Sequence, residues 1–258
     1  MNRDGAFLPP PVDDHHTARQ LAAAAGERLL EVRVRAFADG AARKAAGDAE
    51  SHRLLVDQLA AARPDDAVLS EEGADDPVRL VSSRVWIVDP LDGTREFSEP
   101  GRADWAVHVA LWERGQLVAG AVALPAEGVT LSTAAPLVVP PRADGPLRLA
   151  VSRSRPPTLV QELAGRLGGE LVPMGSAGVK AMAVVRGLAD AYVHGGGQYE
   201  WDSAAPVAVA RAAGLHTSRL DGSPLRYNQA DPWLPDLVIC RPELADGLLT
   251  ALASTTRS

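Results

Sequence analysis

The sequence predicts an α+β fold of stacked helix and sheet layers, and three observations predict it. Near the N-terminus, Leu21, Ala25, Leu29, Val32 and Ala36 recur at three- and four-residue spacing, a helical period. Residues 84–89 (RVWIVD) are mostly apolar, as in a strand buried on both faces. After Pro146, short strand patterns alternate with helical ones, which argues for sheets packed between helices.

Taken in order, the first helix is expected over residues 17–38. A second is expected over 48–62, opened by Asp48, with Leu54, Leu55 and Leu59 inward and a stop at Pro64. A short strand at 67–70 leads into the acidic run 71–76. The strand at 84–89 ends at Pro90, which cannot donate to a central ladder. Strands at 105–112, 116–124 and 129–132 follow, with a hairpin turn at 113–115. Residues 136–146 carry four prolines and read as a connection between two halves. Beyond it, strands at 147–151, 170–173, 190–194 and 237–240 alternate with helices at 158–167, 177–187, 202–214 and 243–253. Residues 1–14 read as a flexible tail. The remainder, 15–258, reads as a single domain made of an N-terminal half (about 15–135) and a C-terminal half (about 147–258).

Composition narrows the function. Of 258 residues, 46% are apolar and 23% charged, enough for a packed interior. No apolar run approaches the ~20 residues of a membrane helix. No basic start followed by an apolar segment suggests secretion, so a cytoplasmic location is expected. The single cysteine, Cys240, excludes an internal disulfide and a cysteine-based zinc cluster. A net charge of −7 disfavours polymeric nucleic acid, whose binding needs a basic face. Lys44 and Lys180 are the only lysines.

The most informative segment is Trp86-Ile-Val-Asp-Pro-Leu-Asp-Gly-Thr94. A buried strand delivers Asp89, Pro90 turns the chain, and Asp92 follows on the same tight turn. Gly93 permits close backbone approach, and a helical turn after it would aim free N–H groups at an anion. An Asx turn with Asp92 as a helix cap would account for part of this pattern. Glu71 and Glu72 follow a strand, Asp48 opens a helix, and Asp202 in Glu200-Trp-Asp202 opens another after Gly195–Gly197. Singly, each is ordinarily a solvated acid or an N-cap. Together they are acids at the ends of several elements. Converged, Glu71, Asp89, Asp92 and Asp202 would repel one another without a cation. Hard oxygen ligands favour Mg²⁺ or Mn²⁺ over zinc. Two such ions ~4 Å apart would activate water, stabilise a leaving oxygen and attract a phosphate.

Other phosphate chemistries fit poorly. The sequence has no Cys-x5-Arg signature, no Gly-x4-Gly-Lys-Ser/Thr loop and no Gly-x-Ser-x-Gly elbow. The six histidines lack metal spacing. His15 and His16 read as tail, and His52 and His108 as surface or satisfied core.

Glu71–Glu72, the Trp86–Thr94 segment and Glu200-Trp-Asp-Ser-Ala-Ala-Pro206, in that order, resemble the three signatures of the inositol monophosphatase superfamily. The resemblance covers about residues 17–253. It implies a layered αβαβα sandwich and a lithium-sensitive, Mg²⁺-dependent phosphatase. Within that superfamily, Ser152-Arg-Ser154, Gly175-Ser-Ala-Gly-Val-Lys180 and Ala189-Asp-Ala-Tyr-Val-His194 are most similar to the CysQ-type 3′-phosphoadenosine 5′-phosphate phosphatases of sulfur metabolism.

Carried over residue by residue, the resemblance implies that Glu71, Asp89 and the Leu91 carbonyl bind one metal, and Asp89, Asp92 and Asp202 a second. A third ion would contact Glu71 and, through water, Asp48. Thr94, with Asp48 or Glu71, would orient the attacking water. Gly93 and Thr94 N–H groups would hold phosphate oxygens, and Ser176 and Lys180 would contact the nucleotide. Mn²⁺ would substitute for Mg²⁺. A homodimer is compatible with the family. Many relatives carry a Lys-x-Asp-x-Ser-Pro-Val-Thr hairpin before the Asp48 position. The shorter Arg43-Lys-Ala-Ala-Gly47 stands in its place, a departure that bears on the third ion. The expected substrate is a small phosphorylated molecule, foremost 3′-phosphoadenosine 5′-phosphate. Inositol-1-phosphate and fructose 1,6-bisphosphate are the alternatives, and a non-catalytic nucleotide sensor is the rival from outside catalysis. An adenine would need an apolar or aromatic slot, for which Tyr192, Tyr199 and Trp201 are candidates.

Overall fold

The computed structural model describes residues 13–255. Helices α1 (Asp14–Arg33) and α2 (Gly40–Ala62) pack against each other. Each begins on an aspartate cap: Asp13 accepts from the His16 N–H and Asp39 from the Ala42 N–H, both at 2.8 Å. Two expectations change. The first helix ends at Arg33, not near residue 38. The second starts at Gly40, because Asp39 caps it and the good helix formers of residues 41–46 propagate it. Asp48 therefore lies about two turns inside α2, and residues 43–47 are helix. His15 and His16, read as tail, belong to the first turn of α1. Apart from Asp13 and Asp14, the tail expected at 1–14 lies outside the described residues.

The first sheet contains β1 (Ala67–Ser70), β2 (Arg84–Asp92), β3 (Ala106–Glu113), β4 (Gln116–Leu124) and β5 (Val129–Ser132), in that spatial order. β1 runs parallel to β2 and the other pairs are antiparallel. β2 continues through Pro90 to Asp92, where the sequence suggested a stop. Its register explains how: Asp89 lies opposite His108 and Asp92 opposite Ala106, so three steps on β2 span two on β3. On a regular strand, residues three apart face opposite sides. The extra residue is a bulge that brings Asp92 to the same side as Asp89. A short helix, α3 (Thr94–Ser98), follows at once.

The second sheet contains β6 (Arg148–Ser152), β7 (Glu170–Met174), β8 (Ala191–Tyr199), β9 (His216–Ser218) and β10 (Trp233–Cys240), ordered β7-β6-β8-β10-β9. β6 is parallel to β7 and β8, and β10 is antiparallel to β8 and β9. β8 is longer than expected because Gly195–Gly197 continue it, paired with a bulged segment of β10. The three-residue β9 was not foreseen. Helices α5 (Ala177–Val185) and α6 (Glu200–Ala212) fill the space between the sheets. α1 and α2 cover the outer face of the first sheet, and α4 (Thr158–Leu167) and α7 (Ala245–Thr255) that of the second. The result is the layered αβαβα sandwich that the resemblance implies.

The central core joins Ile87, Ala110 and Val122 of the first sheet to Met182, Val184, Ala205 and Val207 of α5 and α6 and to Tyr192 and Ile239 of the second. Separate clusters lie under α1 and α2 and under α4 and α7. Cys240 is fully buried in β10, and burial pushes its thiol up to about 12. Among the described residues, no helix is long and apolar enough to cross a membrane.

Candidate active site

The β2–α3 turn is held from two sides. From α2, the Ser51 hydroxyl donates to the Pro90 carbonyl at 2.6 Å. One turn earlier on α2, Gly47 lets the helix approach. A Cβ there would stand 2.8 Å from Phe97 and 3.0 Å from Leu91. Phe97 in turn packs edge-on against Trp105, ring centroids 5.0 Å apart. At the turn itself Gly93 adopts φ +84°, a left-handed conformation, and caps α3 so that Thr94 begins it.

Asp89, Asp92 and Asp202 come together, with one oxygen from each within 4.8 Å of the other two. Asp89 and Asp92 are buried, and Asp202 is half-buried in the first turn of α6. Asp89 Oδ1 accepts from the Leu91 N–H at 3.0 Å. Asp92 Oδ2 accepts from the Ser176 hydroxyl and from the Gly178 N–H at 2.7 Å, and lies 3.2 Å from His108 Nε2. Asp202 Oδ2 accepts from the Tyr199 N–H at 2.6 Å. Among the described residues these contacts leave Oδ1 of Asp92 and of Asp202 without a protein donor. Hard oxygens presented this way suit a cation such as Mg²⁺.

The electrostatics point the same way. Burial and the neighbouring carboxylates of Glu71, Asp92 and Asp202 push Asp89 well above the usual carboxylate range. Burial and the charges of Asp202, Asp92 and Glu72 raise Glu71 to about 7, although a hydrogen bond with Asp89 opposes this. Burial and Asp92 raise Asp202 to about 6. Asp92 is the exception. Burial would raise it, but His108, Ser176 and the Gly178 N–H together hold it down to about 2. His108 is itself raised: burial disfavours its charge, but the adjacent Asp92 outweighs that cost. Without a cation, one firm anion therefore sits among acids that tend to retain protons.

A cleft of about 240 Å³ opens beside the carboxylates. Gly93, Thr94, Ser176 and Lys180 line it, as do Ser152 at the end of β6 and Ser154 just beyond it. Ser176, at φ +53°, caps α5 by accepting from the Val179 N–H, while its hydroxyl proton goes to Asp92. Lys180 is not a surface lysine. It is 8% exposed, its Nζ stands 5.3 Å from the centre of the Tyr192 ring, and burial lowers its affinity for a proton against the pull of Asp92, Glu96 and Asp202. Arg153 bridges to Glu96 and Glu99 of the α3 region, tying the second sheet to the first at this cleft.

Three residues, Asp48, Tyr192 and His108, sit differently from the expectation, while Tyr199 is accessible as an aromatic surface. Asp48 faces Glu72 and Lys44 from within α2; burial and the Glu72 charge raise it to about 7. It is outside the tight carboxylate group. Tyr192 is 2% exposed and belongs to the core, so it lines no open slot. Tyr199 stacks on Trp201 at 4.6 Å and is exposed, with Trp233 edge-on beside it. His108, read as surface or satisfied core, is buried but directly against Asp92. Its place in the site follows from the pairing of β3 with β2, which motif spacing does not reveal.

The chain matches the inositol monophosphatase family over residues 14–257. It is 54% identical over 246 residues to the 3′-phosphoadenosine 5′-phosphate phosphatase of Mycobacterium bovis, covering 90% of this chain and 91% of that protein. It is also 54% identical over 249 residues to the corresponding protein of Mycobacterium leprae, covering 92% of each. CysQ from Bacteroides thetaiotaomicron, a bacterial member of the same family, superposes with a TM-score of 0.77 at 27% identity, covering 88% of this chain and 97% of that one. The family is metal-dependent, and the three aspartates here could hold a metal ion. The shared layers, the carboxylates at the β2 bulge and the match along nearly the whole chain lead to one conclusion: this protein is a member of the inositol monophosphatase family.

Proposed function

We propose that the protein is a Mg²⁺-dependent phosphomonoesterase that removes the 3′-phosphate of 3′-phosphoadenosine 5′-phosphate, giving AMP and phosphate. The observation that carries this reading is the junction of the carboxylate group with a cleft that holds a nearly buried cation, Lys180. A bisphosphate has one phosphate to cleave and another to hold, and a lysine close to an acidic metal-type group suits that pair of demands. The names of the 54% identical relatives support the same substrate.

In this reading Asp89, Asp92 and Asp202, with Glu71 and the Leu91 carbonyl, would hold two Mg²⁺ ions; a third, weaker ion would contact Glu71 and, through water, Asp48, and the Arg43–Gly47 departure bears against it. Once bound there, the ions would lower the pKa of a coordinated water and neutralise charge on the phosphate. Thr94, with Glu71 or Asp48, orients that water toward phosphorus and passes its proton on. The N–H groups of Gly93 and Thr94 steady the phosphate oxygens. The oxygen of water bonds to phosphorus, the bond from phosphorus to the ribose 3′ oxygen breaks, and that oxygen leaves with a proton. Lys180 pairs with the 5′-phosphate. Ser176 contributes the cleft wall and holds Asp92 in place. Tyr199 and Trp201 present the flat apolar surface that an adenine needs.

The test is phosphate release from a panel containing 3′-phosphoadenosine 5′-phosphate, inositol-1-phosphate and fructose 1,6-bisphosphate, each with Mg²⁺ and with chelator. The nucleotide should give the highest kcat/KM, and chelator should abolish turnover. Preference for inositol-1-phosphate would reject the nucleotide assignment. Undiminished turnover in chelator would reject the metal mechanism.

A further inference from the structure

His108 stands at the carboxylate group without belonging to any of the three motifs. It projects from β3, directly opposite Asp89 across the strand pair. The side chain is fully buried, and each ring nitrogen faces an oxygen. Nε2 lies 3.2 Å from Asp92 Oδ2, a charge contact off the line of a hydrogen bond, and Nδ1 lies 3.1 Å from the Trp201 carbonyl and 3.9 Å from Asp89 Oδ2. The ring also fixes the identity of a residue on another element. A Cβ at Gly178 would stand 2.0 Å from Nε2, so any larger residue there has to push the imidazole aside. The Gly178 N–H donates to the same Asp92 oxygen that faces His108.

One imidazole thus touches three elements that meet at the site: the β2 bulge through Asp92, the start of α5 through Gly178, and the first turn of α6 through Trp201. Trp201 immediately precedes Asp202. We propose that His108 is a positioning residue that braces Asp92 against the first turn of α6 and sets the spacing between Asp92 and Asp202. With Oδ2 of Asp92 held from the protein side, its Oδ1 has no protein donor among the described residues. This rests on the metal reading of the aspartate group. Hydrogen-bond partners of ligating carboxylates typically change metal affinity or activity about 10–100-fold when removed.

The test uses His108→Leu, His108→Asn and His108→Gln in the full chain. Leucine removes both polar contacts. Asparagine can place its amide near the Nδ1 position and so retain the Trp201 contact. Glutamine can reach the Nε2 position and keep a polar group against Asp92. Two readouts follow Mg²⁺: the concentration giving half-maximal activity, and the concentration giving half of the Mg²⁺-induced rise in Tm. For His108→Leu and His108→Asn both should increase about tenfold or more, with KM for the nucleotide at saturating Mg²⁺ little changed. His108→Gln should recover most of the loss.

Lower Tm in all three variants with unchanged Mg²⁺ midpoints would make His108 a packing residue and overturn the proposal. If the histidine variants do not fold, Gly178→Ala displaces the ring from the opposite side and should raise both midpoints; wild-type midpoints there would equally overturn it. A wild-type protein with no Mg²⁺-dependent rise in Tm would instead remove the metal reading, a separate failure seen before any variant is made.

Discussion

Asp92 and its neighbours differ in how they hold protons, and that difference has a direction. Glu71 and Asp48 sit at about 7 and Asp202 at about 6, each above the ordinary carboxylate range because of burial and nearby acids. A raised folded-state value means that the metal-free fold binds more protons than the unfolded chain. Its contribution to stability is present at low pH and is lost as pH rises through about 6 to 7. The Tm of chelated protein should therefore fall between pH 5 and 8, and the gain on adding Mg²⁺ should grow over the same range. A gain independent of pH would contradict the charge assignment. Substitution separates charge from shape. Asp92→Asn should keep the fold and lower kcat by orders of magnitude. Thr94→Ala should lower kcat by roughly 10²–10⁴, the worth of a positioned proton-transfer group. Near-normal turnover of folded Thr94→Ala would remove its role at the water. The gathering of Asp89, Asp92 and Asp202 was legible because these residues sit in contiguous motifs. His108 was not, because only the register of β3 against the β2 bulge brings it to Asp92.

At the scale of elements, the strands and helices were legible where apolar period and punctuation agreed, as in α4, which spans Thr158–Leu167 as expected. They were misread where a cap or a bulge overrides the local signal. Asp39 starts α2 well before Asp48, and the bulge carries β2 past Pro90. The seat of the β2–α3 turn depends on α2 coming close at Gly47. Gly47→Val should cost about 1–3 kcal/mol by overpacking against Phe97 and Leu91. It should also reduce kcat by shifting the turn; denaturant unfolding and steady-state kinetics measure the two effects. On α5, Lys180 follows the Ser176 cap by about one turn. Lys180→Met preserves most of the buried volume and removes the cation. It should raise KM for 3′-phosphoadenosine 5′-phosphate far more than it lowers kcat, the pattern of lost uniform binding. Inositol-1-phosphate kinetics should change little. Equal losses on both substrates would make Lys180 structural.

Across the whole molecule, the five layers place the carboxylate group where the two sheets and the inner helices meet. β2 supplies two aspartates and α6 the third, and the cleft beside them is lined from both halves. Such a site exists only while both sheets are seated on α5 and α6. The chain also contains its own means of watching that seating. Its one cysteine lies fully buried in β10, with the thiol raised to about 12, so at neutral pH it is protonated and out of reach. A thiol-reactive dye added to the native protein should therefore label Cys240 only through rare opening of the second sheet. The labelling rate becomes a clock for that opening, read at a single atom and without mutagenesis. If the metals and the nucleotide hold the two halves together, saturating both should slow the clock together with the rate of unfolding. Rapid labelling of the native protein, unaffected by ligands, would show that the second sheet opens independently of the site.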